Sequence, residues 1–120
     1  MSALSRTKGH AFERAIVAEF RARGWISACR NIETNPDAVL GIDLLNTAPF
    51  SIQCKRHATY APISMIYEIP SLPGQIPVLI TKPDHSANSP QANTMVVLPL
   101  SDFLALVSPS SPSRPQPGDF

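Results

Sequence analysis

A carboxylate and a lysine lie close together on two predicted strands of this sequence. Asp43 lies within an apolar segment, and the run Gln53-Cys54-Lys55 begins ten residues later. If the turn between them is centred near Ala48, Asp43 lies opposite Gln53. Lys55 then points to the same face, because side chains alternate along a strand. The spacing predicts three polar side chains on one face of a hairpin, with Cys54 facing the core.

These residue types suit the hydrolysis of a phosphodiester bond. Mg²⁺ needs only one or two carboxylates when water and substrate phosphate complete its coordination shell. Asp43 is the expected main ligand, and Gln53 can add an amide oxygen. The ammonium group of Lys55 can orient the attacking water and offset negative charge in the transition state. We therefore expect a metal-dependent hydrolase in which all three residues are catalytic.

Glu13 is the predicted second carboxylate of the metal site. It borders the apolar face that Phe12 and Ile16 form on the first predicted helix, so its side chain can reach the sheet. Asp37, which follows Pro36, is an alternative to Asp43. We prefer Asp43, because Asp37 lies in a turn before the predicted strand and is out of register with the lysine.

The elements that must position these residues follow from the hydrophobic pattern. Apolar residues recur every four positions from Thr7 to Arg23, which predicts an amphipathic helix. Ser101 is a suitable N-cap for a terminal helix that ends near Val107. A short helix is possible at 64–68 between prolines. Strands are predicted at 25–29, 38–45, 50–55, 76–80 and 94–98.

Composition limits the class of protein. The chain has 120 residues, of which 43% are hydrophobic, and this favours one domain with one core. We place that domain at 1–107 and expect residues 108–120, rich in serine and proline, to be a disordered tail. No apolar run approaches the roughly 18 residues of a membrane span, and a signal peptide is not recognisable, so a cytoplasmic protein is expected.

Positive charge is concentrated in the first half of the chain. Residues 1–60 hold eight lysines and arginines against five acidic residues, although the net charge of the whole chain is only +1. Basic residues near the predicted site are candidate contacts for DNA phosphate, and ordinary solvated surface charge is the alternative. The candidates are Lys8, Arg14, Arg30, Arg56 and His57.

Several segments together resemble the archaeal-type Holliday-junction resolvases, which are nucleases of the PD-(D/E)xK superfamily. The resemblance covers roughly residues 7–107 and implies a restriction-endonuclease-like α/β fold, with a central mixed sheet of about five strands flanked by helices. It also implies a homodimer that cuts branched DNA with Mg²⁺, for which Mn²⁺ can substitute. The segments that carry it are Lys8-Gly9, Phe12-Glu13-Arg14, Gly41-Ile42-Asp43-Leu44-Leu45, Ile52-Gln53-Cys54-Lys55 and Ile76-Pro77-Val78-Leu79.

The resemblance assigns roles to individual residues of this chain. Glu13, Asp43, Gln53 and Lys55 correspond to the metal and catalytic site, and Arg30 lies where the family has a DNA-contacting arginine. Gln53 departs from the family, which has glutamate at this position. The interval from Asp43 to Gln53 is also shorter than in the family, but shortening a hairpin by an even number of residues keeps the side chains on the same face. We expect a structure-selective DNA endonuclease. The alternatives are a sequence-specific or general nuclease on the same scaffold and a catalytically inactive DNA-binding module.

Overall fold

The computed structural model describes residues 3–32, 39–84 and 93–109, with the side chains of the first helix described from residue 9 onward. These residues form two α-helices, one 3₁₀ helix and five strands. In chain order they are α1 (Ala3–Ala22), β1 (Cys29–Arg30), β2 (Leu44–Leu45), β3 (Phe50–His57), the 3₁₀ helix (Ile63–Glu68), β4 (Ile76–Pro83), β5 (Met95–Val97) and α2 (Leu100–Val107).

The five strands form two sheets. β3 and β4 are parallel along their whole length, from the pair Phe50 and Ile76 to the pair His57 and Pro83, and β5 adds to β4 in the antiparallel direction. β1 and β2 form a separate antiparallel pair. An α/β fold with a mixed sheet is confirmed; among the described residues that sheet has three strands and the other two strands pair separately, where one sheet of about five strands was expected.

A side chain explains why β2 does not join β3 as a regular ladder. The backbone N–H of Asp43 donates to the carbonyl of Ile52 at 2.8 Å, as a ladder would require. The next N–H on that edge of β3 belongs to Cys54, and it donates to the carboxylate of Asp43 at 2.7 Å instead of to a backbone carbonyl. The aspartate therefore ends the pairing at the position where the sequence placed the hairpin.

The three-stranded sheet has an apolar layer on each face. On one face, α1 packs onto β3 and β4, and this cluster includes Phe12, Ile16, Val17, Ile52, Cys54, Val78 and Ile80. On the other face, the 3₁₀ helix covers a second cluster that includes Ile42, Ala61, Ile66, Ile69 and Leu79. The predicted inward orientation of Ile52 and Cys54 is confirmed. Each fully buried aliphatic side chain stabilises the fold by about 1.5–3 kcal/mol.

Element boundaries differ from the prediction where local patterns are short. β1 overlaps the predicted strand 25–29 only at Cys29, and β2 is only the end of the predicted strand 38–45. Ser101 is not the N-cap of α2, which begins at Leu100. Pro99 precedes it with φ −61° and ψ 142°, and no side chain caps the helix. The proline fixes φ and so determines where the helix can start.

The described surface has an apolar region at the end of the chain. No residue of α2 is buried, and Leu100, Phe103, Leu104, Leu106 and Val107 are all exposed. Neither α-helix in the described ranges is long and apolar enough to cross a membrane. Residues 110–120 of the predicted tail lie outside the described part of the chain.

Gly41 allows the turn before β2 to pack against the 3₁₀ helix, and its replacement tests this contact. Its φ is +89°, and an added Cβ would lie 2.9 Å from the carbonyl oxygen of Glu68. Gly24 has a φ of +115° but no atom within 4 Å of such a Cβ. Both alanine variants lose about 1–2 kcal/mol from the backbone conformation. We expect Gly41→Ala to lose more than Gly24→Ala in urea unfolding; equal losses would contradict the close contact.

Candidate active site

Asp43 is fixed at the edge of β3 by three hydrogen bonds. Its N–H donates to Ile52, its carboxylate accepts the N–H of Cys54, and its carbonyl accepts the N–H of Asn31 at 2.8 Å. It therefore binds Ile52 and Cys54, the two residues that flank Gln53, whereas the prediction paired it with Gln53 itself. The carboxylate lies between the two faces of the sheet, on the edge that β4 does not cover.

Charged groups from three elements act on Asp43. Burial raises the pKa of its carboxyl above the ordinary value, and the negative charge of Glu13 raises the pKa further. The N–H of Cys54 lowers the pKa, as do the positive charges of Lys55 and Arg30, but they do not cancel the rise. The structure thus brings Glu13, Lys55 and Arg30 within electrostatic reach of one carboxylate.

Glu13 and Arg30 form an ion pair beside that carboxylate. The Arg30 Nε donates to Glu13 Oε1 at 3.0 Å, and both side chains are largely shielded from solvent. α1 positions Glu13 next to the core residue Phe12, while β1 holds Arg30 in register with Leu44, the neighbour of Asp43. Glu13, the predicted metal ligand, is therefore paired with Arg30, a predicted DNA contact.

Gln53 is buried in the sheet with an unused acceptor. Only 5% of the residue is exposed, and its Oε1 has no hydrogen-bond partner among the described residues. It is paired in register with Leu79, on the face of the sheet opposite α1, and Lys55 two residues further on shares that face. A buried acceptor without a partner costs about 1–3 kcal/mol, so a ligand that contacts this oxygen would stabilise the protein.

The residues fit Mg²⁺ in their chemistry. Glu13, Asp43 and Gln53 offer only oxygen atoms, which this ion prefers. The two carboxylates repel each other in a shielded site, and a divalent cation would relieve that repulsion. Across residues 3–32, 39–84 and 93–109, no three His, Cys, Asp or Glu side chains form a group that could hold a metal ion. A site here would therefore depend on the amide of Gln53, water and phosphate.

The other predicted DNA contacts are spread around this edge. Arg14 is exposed on α1 and shares a surface depression with Arg21 and Arg30. Arg56 donates to the carboxylate of Asp84 at 3.0 Å. His57 is partly buried at the end of β3. The side chain of Lys8 and the alternative acid Asp37 lie outside the described residues.

Lys82 is a buried basic residue of β4 that the sequence did not single out. Its pairing partner is Arg56 in β3, so the carboxyl ends of two parallel strands bring the two cations together. Burial lowers the pKa of Lys82, and the charge of Arg56 lowers it further. The sequence does show a lysine at the end of an apolar strand. Its position beside Arg56 could be predicted only from the parallel pairing of β3 with β4, which the connection at 58–75 did not reveal.

Comparisons of this chain with models of protein families, with curated proteins and with solved structures found no match. Its function must therefore be inferred from the residues around Asp43 and from the motifs in the sequence.

Asp43→Asn tests whether the site is held at a cost in stability. A carboxyl whose pKa is raised by folding stabilises the fold while protonated, and it loses that contribution as pH rises through the folded-state pKa. Asparagine stays neutral and can still accept the Cys54 N–H. Without divalent cations, we expect the variant to be more stable than wild type at pH 7, with the difference shrinking as pH falls toward 3.8, the ordinary value.

Urea unfolding at pH 7 and pH 3 measures this difference. Asp102→Asn is the control, because Asp102 lies in the first turn of α2, where a negative charge is favourable. That variant should gain nothing at pH 7. A loss of stability in Asp43→Asn at pH 7 would show that its ion interactions outweigh burial.

Proposed function

We propose that this chain is a Mg²⁺-dependent endodeoxyribonuclease with a restriction-endonuclease-like fold that cleaves branched DNA, as the resemblance to junction resolvases implies. The observation that carries the proposal is the partly buried, hydrogen-bonded Asp43 at a sheet edge, with Glu13 and Lys55 acting on its charge. Perturbed carboxylates with a specific cationic neighbour are concentrated at functional sites. The proposal includes a homodimer, which sedimentation velocity measures.

The proposed roles follow from the position of each side chain. Asp43, Glu13 and Gln53 would hold the ion, with Mn²⁺ as a substitute. The metal, when bound, polarises the phosphate and lowers the pKa of a water molecule. Lys55 orients that water and offsets the negative charge that develops on the phosphate oxygens. The water adds to phosphorus and releases its proton to solvent, while the bond to the leaving sugar oxygen breaks and that oxygen takes a proton from a second water molecule.

The ion pair between Glu13 and Arg30 has a part in this scheme. Glu13 is a weaker metal ligand while Arg30 donates to its Oε1 at 3.0 Å and offsets its charge. A DNA phosphate is a strong partner for arginine, which it can bind through two hydrogen bonds. Transfer of Arg30 to phosphate would release Glu13 to the metal, so that DNA and metal each strengthen the binding of the other.

Phosphate contacts elsewhere would position the DNA on the protein. Lys8, Arg14, Arg56 and His57 are the proposed contacts, and each neutralised phosphate makes binding more sensitive to salt. Arg56 also holds Asp84.

A DNA-binding module without catalysis is the second candidate. The observation that favours it is that Arg30 already neutralises Glu13, while Gln53 brings no negative charge. Such a protein would bind DNA through the same cations and would show no Mg²⁺-dependent nicking. A nuclease that recognises sequence would nick linear DNA as readily as branched DNA that contains the same sequence.

Lys55→Ala tests the nuclease assignment. We expect wild type to nick four-way junctions faster than linear, nicked or flapped DNA with Mg²⁺ present. The variant should lose at least about a hundredfold in rate, because a charge that acts in the transition state is gone. DNA affinity should change only slightly. Arg23→Ala, which breaks a surface pair with Glu19 on the helix, is the control and should keep full activity. Wild-type rates in Lys55→Ala would remove the lysine from the mechanism.

Two substitutions at position 53 test whether Gln53 is a metal ligand or only a buried side chain with an unsatisfied oxygen. Gln53→Met removes the unpartnered oxygen, so it should stabilise the fold by about 1 kcal/mol and weaken Mg²⁺ binding. Gln53→Glu buries a charge, so it should unfold more easily than wild type without metal and recover with Mg²⁺.

Thermal unfolding with and without Mg²⁺, together with calorimetric titration, measures both effects. If Gln53→Met binds Mg²⁺ as wild type does, the amide oxygen is not a ligand. If neither wild type nor Gln53→Glu responds to Mg²⁺, the metal site itself is wrong.

A further inference from the structure

An aliphatic side chain stands almost fully in solvent three residues before Asp43. Leu40 is 97% exposed, and Ile32, across from it, is 49% exposed. We call these two side chains the apolar tip. Beside them lies a surface depression of about 360 Å³, within the size range of small-ligand sites. It is lined by Asn31, Ile32, Val39, Leu40, Gly41, Ile42 and Asp43.

Hydrogen bonds and a close backbone contact hold the turn that carries Leu40. The side-chain amide of Asn31 donates to the carbonyls of Val39 at 2.9 Å and Ile42 at 2.6 Å. The N–H of Ile42 closes the turn on Val39 at 3.2 Å. Gly41 has a positive φ and approaches the carbonyl of Glu68 where no Cβ would fit. These contacts hold Leu40 outward against the hydrophobic effect.

The depression is continuous with the candidate active site. Asp43 forms part of its wall and is the only charged residue among the described residues that line it. A strand whose phosphate lies at Asp43 and Lys55 therefore brings the neighbouring base to this depression. The apolar side chains of Ile32 and Val39 suit the face of a base, whereas the phosphates are held by the cations elsewhere on the edge.

We propose that the apolar tip inserts into the base stack beside the scissile phosphate and that the depression receives the unpaired base. This inference rests on the proposed function, which supplies the DNA strand. Leucine and isoleucine serve as wedges between base steps in proteins that distort DNA. Insertion into an intact duplex must break stacking, whereas an unpaired base beside a branch has already lost part of it. The tip thus favours DNA with an unpaired base next to the cut.

Base-dependent binding tests the tip without requiring cleavage. Fluorescence anisotropy in EDTA compares two branched DNAs that differ at the unpaired position, one with 2-aminopurine and one with an abasic spacer. Wild type should bind the first at least about fivefold more tightly, since apolar side chains can bury the face of a base but find no such surface at an abasic spacer. The fluorescence of 2-aminopurine should change on binding. Leu40→Ala should lose most of this preference and bind the abasic DNA as wild type does.

Ile26→Ala is the matched control. Ile26 is also an aliphatic residue with 81% exposure, but it lies in the connection between α1 and β1 and is not part of the depression. This variant should keep the full preference. If it loses the preference as much as Leu40→Ala, or if wild type does not distinguish the two DNAs, the proposal is overturned.

Nicking with Mg²⁺ separates this inference from the function on which it rests. Nicking without base preference rejects the tip and keeps the nuclease. Base preference without nicking keeps the tip and supports the binding module. An absence of DNA binding rejects both. A change in sedimentation of Leu40→Ala with unchanged base preference would assign the tip to a protein contact and overturn the proposal.

Discussion

The hydrogen bond from the N–H of Cys54 to the carboxylate of Asp43 determines how the rest of the site is arranged. The side chain of Cys54 is packed with α1 in the core, so its N–H has a fixed direction at the sheet edge. A buried N–H without an acceptor would be costly. Because Asp43 supplies the acceptor, the packing of the core decides where the carboxylate lies. The same bond replaces a ladder bond and leaves that edge of β3 open.

The open edge collects charge because several elements end there. α1 brings Glu13, β1 brings Arg30, and β3 brings Lys55, so one acid and two bases share one shielded region with Asp43. The balance is incomplete, since burial and Glu13 still raise the pKa of Asp43. Folding therefore disfavours the ionised form of Asp43 relative to the unfolded chain. A cation, or a phosphate that draws Arg30 away from Glu13 together with a metal ion, would offset this penalty.

Local patterns predicted the elements that bury one clear face. Phe12 and Ile16 identified α1, and the apolar run before Pro83 identified β4, because their periodicity depends only on near neighbours. The meeting of Asp43 with β3 followed from a short turn. The parallel pairing of β3 with β4, the division into two sheets and the ion pair of Glu13 with Arg30 join residues far apart in sequence. No spacing rule within one element contains that information.

The burial of Gln53 gives a physical reason for its departure from the resolvase pattern. A glutamate there would add a buried carboxylate next to Asp43, whose charged form burial already disfavours. Arg30 and Lys55 offset two negative charges, and a third would have no partner. In the proposed site, glutamine keeps an oxygen at the ligand position without that charge. The fold is then stable before metal binds, at the cost of weaker attraction for the ion and of one acceptor that has no partner until the ion arrives.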